Sequence, residues 1–356
     1  MSGLTASPIK KFKQNYLGLA SLYFIVTVGF MSIFAYVFAP DNSQYANQMH
    51  LSIHSKSPGF EISMLIEPQI PKPPQNVFSK LFLGDAYPAK ETPILNHRTE
   101  GQKMIFQPYS SRGVEGFEKF INLEIYPDAR VEEKKFYLGT DKFGRDILSR
   151  ILVGARISFF IGFVAVSISL FLGLLMGSLA GYYGGTTDVL IMWLINVTWS
   201  IPTLLLVIAI TLALGKGYWQ VFIAVGLTMW VEVARVVRGE VMGIKEQQYI
   251  TAARALGFTD FRIIFRHILP NIMAPVIVIS AANFASAILI ESGLSFLGIG
   301  AQPPMSSWGA MIKAHYSDII LGKAFLALIP GLCIMTVVMA FMLIGNALRD
   351  ALNVKT

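Results

Sequence analysis

The sequence predicts an all-α integral membrane protein with six transmembrane helices and a large extracytoplasmic insertion of mixed structure after the first helix. Of its 356 residues, 54% are hydrophobic and only 14% are charged, whereas soluble proteins average about a quarter charged. The mean hydropathy is +0.55. Six apolar runs approach or exceed the roughly 20 residues that a helix needs to cross a bilayer. One long polar segment separates the first run from the second.

The first apolar run extends from Leu17 to Phe38 and follows Lys10, Lys11 and Lys13. It is too long for the core of a signal peptide and no small-residue cleavage site stands out, so it predicts a retained anchor helix. Basic residues favour the cytoplasmic side. Residues 1–39 are therefore predicted to be a cytoplasmic N-terminus and the first transmembrane helix.

The polar, proline-rich segment 40–138 is predicted to be an extracytoplasmic insertion. Within it, residues 116–125 favour a short helix. His50 and His54 have the i,i+4 spacing of a metal pair but lack a nearby third ligand, which favours surface histidines. A short strand is predicted from alternating apolar residues, namely Phe60, Ile62, Met64 and Ile66.

The remaining residues, 139–356, are predicted to form the core, with five further transmembrane helices. Arginine and lysine are concentrated in the loop between the fourth and fifth of the six spans, which places that loop and both chain termini in the cytoplasm. Gly173 and Gly177 would let neighbouring helices approach closely. The five apolar runs are Ile157–Tyr182, Val189–Leu214, Trp219–Val237, Ile272–Ile299 and Ala324–Leu348.

The cytoplasmic loop 245–270 is predicted to contain two helices. Good helix formers run from Glu246 to Leu256, Gly257 ends the first helix and Thr259 is placed to cap the second. Apolar residues of the second helix recur at helical spacing: Phe261, Ile264, Phe265 and Ile268. Two interpretations stay open, a docking element for another protein or a packed amphipathic hairpin without a partner.

Polar residues inside the predicted spans are functional candidates because charges in a bilayer are costly unless paired or hydrated. The candidates are Glu291, Glu232, Arg235 and Asn196. Glu232 and Arg235 are three residues apart, so they are expected to share one helix face. Each candidate either faces a transport pathway or makes a structural contact.

A polar motif precedes the second span, with Asp141, Arg145 and Asp146 close in sequence. These side chains are expected to form an exposed ion-pair cluster at the outer membrane face. Exposed ion pairs stabilise little, so the cluster is interpreted as shaping the loop and not as binding solute.

Enzyme motifs are absent from the sequence. It contains no phosphate-binding loop, no H-E-x-x-H and no nucleophile elbow. Its basic residues are not interleaved with aromatic residues as on a nucleic-acid-binding domain. We predict no catalytic, cofactor-binding or metal-binding residues and no nucleic-acid partner.

Three segments carry a family resemblance, and the third of them is Glu291 to Gly300 with Gln302, Pro303 and Pro304. Thr251-Ala252-Ala253, Gly257 and Leu269-Pro270 resemble the EAA loop of permeases of binding-protein-dependent ABC importers, and Gly139 to Asp146 is similar to the GTDxxGRD segment of the dipeptide/oligopeptide (and nickel) branch. Thr251 stands where that family usually has Glu. The resemblance covers about 140–356.

The resemblance implies a permease subunit of an ATP-driven ABC importer that translocates dipeptides or oligopeptides across the bacterial inner membrane. It implies a second related permease subunit, two cytoplasmic ATP-binding subunits that use the ATP, and an extracytoplasmic solute-binding protein as partners. In such permeases the loop docks on the ATPase. The residues implied in docking are Ile250, Thr251, Ala252, Ala253, Arg254, Ala255, Leu256, Gly257, Phe258 and Phe261.

The sequence leaves alternative functions open. Nickel or another small solute is carried by close relatives of this branch. An ion-coupled secondary transporter usually shows paired carboxylates or broken helices near the bilayer midplane, and Glu291 alone gives it thin support. An exporter subunit would not depend on an external binding protein.

Overall fold

The computed structural model describes residues 8–69, 73–110, 117–215 and 217–352. The chain divides into two compact units. The first comprises Met1–Val28, Ser158–Gln302 and Gly331–Thr356, and the second comprises Gly29–Ile157 and Pro303–Pro330.

The described residues form thirteen α-helices and five β-strands. The helices are α1 Pro8–Gln14, α2 Tyr16–Ile33, α3 Ala35–Phe38, α4 Val77–Leu83, α5 Ile147–Tyr183, α6 Gly185–Trp199, α7 Thr203–Leu214, α8 Tyr218–Lys245, α9 Gln248–Ala255, α10 Asp260–Ile263, α11 Met273–Leu297, α12 Trp308–His315 and α13 Phe325–Leu352. The strands are β1 Phe60–Glu67, β2 Lys90–Glu100, β3 Lys103–Pro108, β4 Lys119–Asn122 and β5 Arg130–Phe136.

Among the described residues, five helical segments are long and apolar enough to cross a membrane, and the pair α6 and α7 raises the number to six if it counts as one span. A predominantly helical chain with five or six candidate membrane spans is thus confirmed. The third span predicted from Val189 to Leu214 consists of two helices, α6 and α7, which meet at a 92° bend. Pro202 lies in the break, where it has no backbone N–H to donate to a continuing helix.

The second unit contains a five-stranded antiparallel sheet in the order β4-β3-β2-β1-β5. The chain is therefore not all-α. The strand predicted around Met64 is confirmed as β1, in which Leu65 pairs with Thr92 of β2 and Val131 of β5. One face of the sheet packs a core of Leu65, Ile94, Met104, Phe106 and Ile121.

The short helix predicted over residues 116–125 is wrong where the structure describes it. Residues 119–122 form β4, with Ile121 buried and the preceding Phe120 63% exposed. This alternation suits the edge of a half-buried sheet, because successive strand side chains point to opposite faces. Residue 116 itself lies outside the described residues.

A close helix pair organises the first unit. A Cβ atom added to Gly173, Gly177 or Gly181 of α5 would collide with α8, where the facing side chains are Val233, Val237 and Val241. Both sets repeat every four residues, so one ridge of α8 lies in a groove of α5. The absence of side chains at the glycines lets the two backbones approach.

Candidate functional site

The loop between α8 and α11 turns sharply at Gly257. The N–H of Phe258 donates to the carbonyl of Ala253 (3.1 Å), and the N–H of Gly257 donates to that of Arg254 (2.9 Å). Gly257 has φ +78°, so these bonds form a Schellman C-cap whose left-handed residue is glycine. The predicted helix end is confirmed. The helix starts at Gln248 and not at Glu246, because α8 continues to Lys245.

The second half of the loop begins as predicted and then departs from a regular α-helix. The hydroxyl of Thr259 accepts the N–H of Arg262 at 3.4 Å and caps α10. A π-helical turn at Ile264–Ile268 and a 3₁₀ turn at Leu269–Ile272 then lead into α11. Because these turns change the helical period, the predicted apolar set does not share one face. Ile264 and Ile268 are buried, whereas Phe261 and Phe265 are exposed.

The loop rests on a buried apolar base. Ile250, Ile263 and Ile268 are fully buried and pack in one cluster with Val237 and Val241 of α8. The base fixes the loop to the end of the α5–α8 pair.

A polar contact also ties the loop to α5. The hydroxyl of Tyr182 donates to a carboxylate oxygen of Asp260 at 2.6 Å. The guanidinium of Arg254 lies 5.1 Å from the centre of the same tyrosine ring. A displacement of α9 or α10 would therefore have to disturb the end of α5.

The outward face of the loop combines small, basic and apolar residues. Leu256 is 74% exposed and Phe261 is 70% exposed, large fractions for side chains of this size. Two of the predicted docking residues, Ile250 and Ala253, belong to the buried base. Phe258 is half-buried; the other seven are exposed, namely Thr251, Ala252, Arg254, Ala255, Leu256, Gly257 and Phe261.

Sequence reasoning missed two exposed aromatic residues beside this face. Tyr249 is 47% exposed and Phe265 is 53% exposed. Tyr249 gives no signal in the helical pattern, and the sequence groups Phe265 with the apolar residues that recur at helical spacing in the second helix. The ring of Phe265 lies 4.3 Å from that of Phe261, measured between centroids. We define the loop patch as Tyr249, Leu256, Phe261 and Phe265.

The structure separates the predicted polar residues of the spans. Glu291 is buried within the first unit, and the hydroxyl of Ser295 donates to it at 2.7 Å. Asn196 is exposed on α6, and its backbone carbonyl accepts from Ser200 at the bend. Neither residue lines the pocket that contains Glu232.

Glu232 lines a pocket of about 330 Å³ beside the α6–α7 bend. The expected pair between Glu232 and Arg235 is not formed. The guanidinium of Arg235 lies 3.5 Å from the centre of the Trp199 ring instead. Trp199 and Ser286 also line the pocket, which thus combines residues of α6, α8 and α11.

The polar motif before α5 forms a buried cluster, so the expected exposed cluster is wrong. Arg145 Nε lies 2.7 Å from Asp141 Oδ2, with side chains only 8% and 1% exposed. Burial raises the pKa of the Asp146 carboxyl, against hydrogen bonds from Ser149. His315, on α12 of the same unit, lies 4.0 Å from the Asp141 carboxylate. The motif belongs to the interior of the second unit.

His50 also departs from the predicted surface position. It is 8% exposed, and its Nε2 lies 3.5 Å from Glu91, which Lys134 contacts at 2.6 Å. Burial opposes ionisation of Glu91, but the His50 hydrogen bond and the Lys134 charge lower its pKa overall. Across the described part of the chain, no group of three His, Cys, Asp or Glu side chains is placed to hold a metal ion.

Comparison with known proteins assigns a family. Residues 169–355 match the family described as "Binding-protein-dependent transport system inner membrane component". The chain is 42% identical to the glutathione transport system permease protein GsiD of Pectobacterium atrosepticum over 219 residues, which is 62% of this chain and 72% of the relative.

Two peptide permeases give similar matches. The chain is 42% identical to the dipeptide transport system permease protein DppC of Alkalihalophilus pseudofirmus, covering 65% of this chain and 77% of the relative. It is 37% identical to the oligopeptide transport system permease protein OppC of Bacillus subtilis, covering 70% and 80%. This chain therefore belongs to the family of inner membrane components of binding-protein-dependent transport systems.

Proposed function

We propose that this chain is a permease subunit of an ATP-driven importer that translocates dipeptides or oligopeptides across the bacterial inner membrane. The observation that carries the proposal is the exposed loop patch on a buried base joined to α5 and α8. Exposed aromatic and leucine side chains on a fixed element are typical of a protein contact. A partner that moves the loop would thereby move two candidate membrane helices.

The cargo class rests on the relatives, whose names specify dipeptide, oligopeptide and glutathione transport. Nickel is not favoured by these names. An ion-coupled secondary transporter is not favoured either, since Glu291 is hydrogen-bonded inside the unit and the loop patch would have no role. ATP would be hydrolysed by separate subunits, and we expect this chain to hold no cofactor.

The proposed assembly contains a second related permease subunit, two cytoplasmic ATP-binding subunits and an extracytoplasmic solute-binding protein. With α6 and α7 counted as one span, we propose that both termini and the loop are cytoplasmic, as the distribution of basic residues favours. Segment 40–138 would then lie outside the membrane, where its sheet would be available to the solute-binding protein or the second permease.

The test is co-purification from the native host. A tagged wild-type chain is expected to bring down a second permease and an ATPase that carries a phosphate-binding loop. Phe261→Asp should abolish ATPase recovery, because a charge would replace an aromatic side chain of the loop patch. Ile320→Asp is the matched control, since Ile320 is 90% exposed but lies in the second unit.

Two outcomes would contradict the proposal. One is a wild-type chain that purifies alone yet moves solute in ATP-free vesicles under an ion gradient. The other is equal ATPase recovery with both aspartate variants, which would remove the loop patch from the docking surface.

A further inference from the structure

The pocket beside the α6–α7 bend contains an acidic side chain that loop docking does not use. Trp199 and Thr203 line it from the two sides of the 92° bend, and Glu232 and Ser286 line it from α8 and α11. All four residues belong to the first unit. The bend therefore produces a concave site with polar and apolar walls within a set of candidate membrane helices.

Glu232 has no cationic partner at ion-pair distance anywhere in residues 8–69, 73–110, 117–215 and 217–352. The nearest basic residue along α8, Arg235, lies against the Trp199 ring. By contrast, Arg238, one turn further along the helix, is paired with Asp188 through two hydrogen bonds of 2.5 and 2.6 Å. A carboxylate in a membrane span is costly unless it is paired or hydrated. The pocket is thus complementary to one positive charge.

The other walls limit what kind of cation fits. Leu206, Leu289 and Ile290 supply apolar surface, and Thr203 and Ser286 supply hydroxyl groups. Hydroxyls donate to and accept from amide groups. At about 330 Å³ the pocket has the size of a small-molecule site. A small ligand with an ammonium group, an amide and short apolar side chains matches all three features.

We propose that this pocket binds the amino-terminal ammonium group of a small peptide, with Glu232 as the acceptor and Thr203 and Ser286 beside the first amide. The inference rests on the proposed function and adds a specificity-determining residue within the permease itself. It predicts that recognition of the free amine does not reside in the solute-binding protein alone.

The experiment measures equilibrium binding of radiolabelled dialanine to the complete membrane complex in nanodiscs, without the solute-binding protein. We expect saturable binding, competed by dialanine and not by N-acetyl-dialanine. Glu232→Gln should weaken binding roughly tenfold, the size of one charge-assisted hydrogen bond. Glu240→Gln should bind as the wild type does, because Glu240 is exposed on α8, as Glu232 is, but does not line the pocket.

Any of four results would overturn the inference. The first two are that the wild type shows no saturable binding and that N-acetyl-dialanine competes as well as dialanine does. The other two are that the Glu232→Gln variant binds dialanine with the affinity of the wild type and that its complex loses the second permease. The last would show that a neighbouring subunit pairs with Glu232. Dialanine uptake by the wild type with its solute-binding protein and ATP is measured in the same preparation. Uptake without binding rejects only this inference, whereas absence of peptide uptake rejects the proposed function.

Discussion

At the scale of single residues, Asp141 and Arg145 form an ion pair that is almost completely buried. Removing one partner leaves an uncompensated charge in the interior, which typically costs about 3–5 kcal/mol. We therefore expect Asp141→Ala to lower the thermal unfolding temperature of the purified protein strongly.

The control for this prediction is Glu118→Ala. Glu118 pairs with Arg98 at 2.8 Å, but both side chains are more than half exposed, and solvent screens such pairs. We expect no measurable change. Equal effects of the two substitutions would mean that the Asp141 cluster is hydrated and not buried.

His315 provides a pH-dependent contribution to stability. Burial lowers the pKa of its imidazole, although the hydrogen bond to Asp318 and the charge of Asp141 oppose this. The unfolded chain therefore binds more protons than the folded chain between the folded pKa and the ordinary value near 6.5. The stability that depends on a neutral His315 is therefore fully present above the ordinary pKa, and it is lost as the pH falls through this window.

We expect the wild type to unfold at a lower temperature at about pH 5.5 than at about pH 7.5, on either side of the ordinary imidazole pKa. His315→Gln should show a smaller difference in unfolding temperature, because it removes the imidazole. A difference remains because the other titrating groups, such as Asp146 and Glu91, are unchanged. An identical pH dependence in the two proteins would show that His315 does not contribute.

At the scale of elements, the α5–α8 contact depends on glycine at the positions that face α8. A Cβ at Gly177 would meet the carbonyl oxygen of Ala234 and the side chain of Val237, whereas Gly239 has no neighbouring atom within contact distance. Gly177→Ala should destabilise the folded protein by about 1–3 kcal/mol, because the added methyl group overpacks the α5–α8 contact.

Gly239→Ala should instead stabilise the folded protein by about 0.4–1 kcal/mol, since it restricts the unfolded chain without creating a clash. Thermal unfolding of the two variants in parallel tests this. A neutral or stabilising Gly177→Ala would show that α5 and α8 are not in close contact.

Element boundaries were predicted well where local chemistry sets them. Gly257 at a left-handed C-cap and Thr259 at an N-cap are fixed by short-range hydrogen bonds. The sequence predicts poorly the segments in which the helical period changes. The π-helical turn at Ile264–Ile268 exposes Phe265, and β4 is too short for its alternation to stand out from a helical pattern.

At the scale of the whole molecule, the number of spans decides on which side of the membrane the loop lies. If α6 and α7 form one span, four spans separate the N-terminus from the loop; if they are re-entrant, only three do. Single cysteines at Lys13, Lys119 and Glu246 in a Cys333→Ala background distinguish these topologies by labelling intact cells with an impermeant maleimide.

We expect labelling at position 119 alone, because six spans would put positions 13 and 246 on the same side, and the basic N-terminus favours the inside. Lysis before labelling serves as the control for reactivity at all three positions. Labelling at both 119 and 246 would show that the α6–α7 pair does not cross the membrane, and the docking proposal would fail with it.

The sequence by itself determined the membrane class, the approximate spans and the chemistry of the loop between α8 and α11, because apolar length, charge placement and capping residues act locally. Only the tertiary structure decided which polar residues are buried. Asp141, Arg145 and His50 became interior groups because distant segments fold over them. Within the described residues Glu232 has no cationic partner, because Arg235 lies against Trp199, a contact between α8 and α6 that helical spacing does not encode.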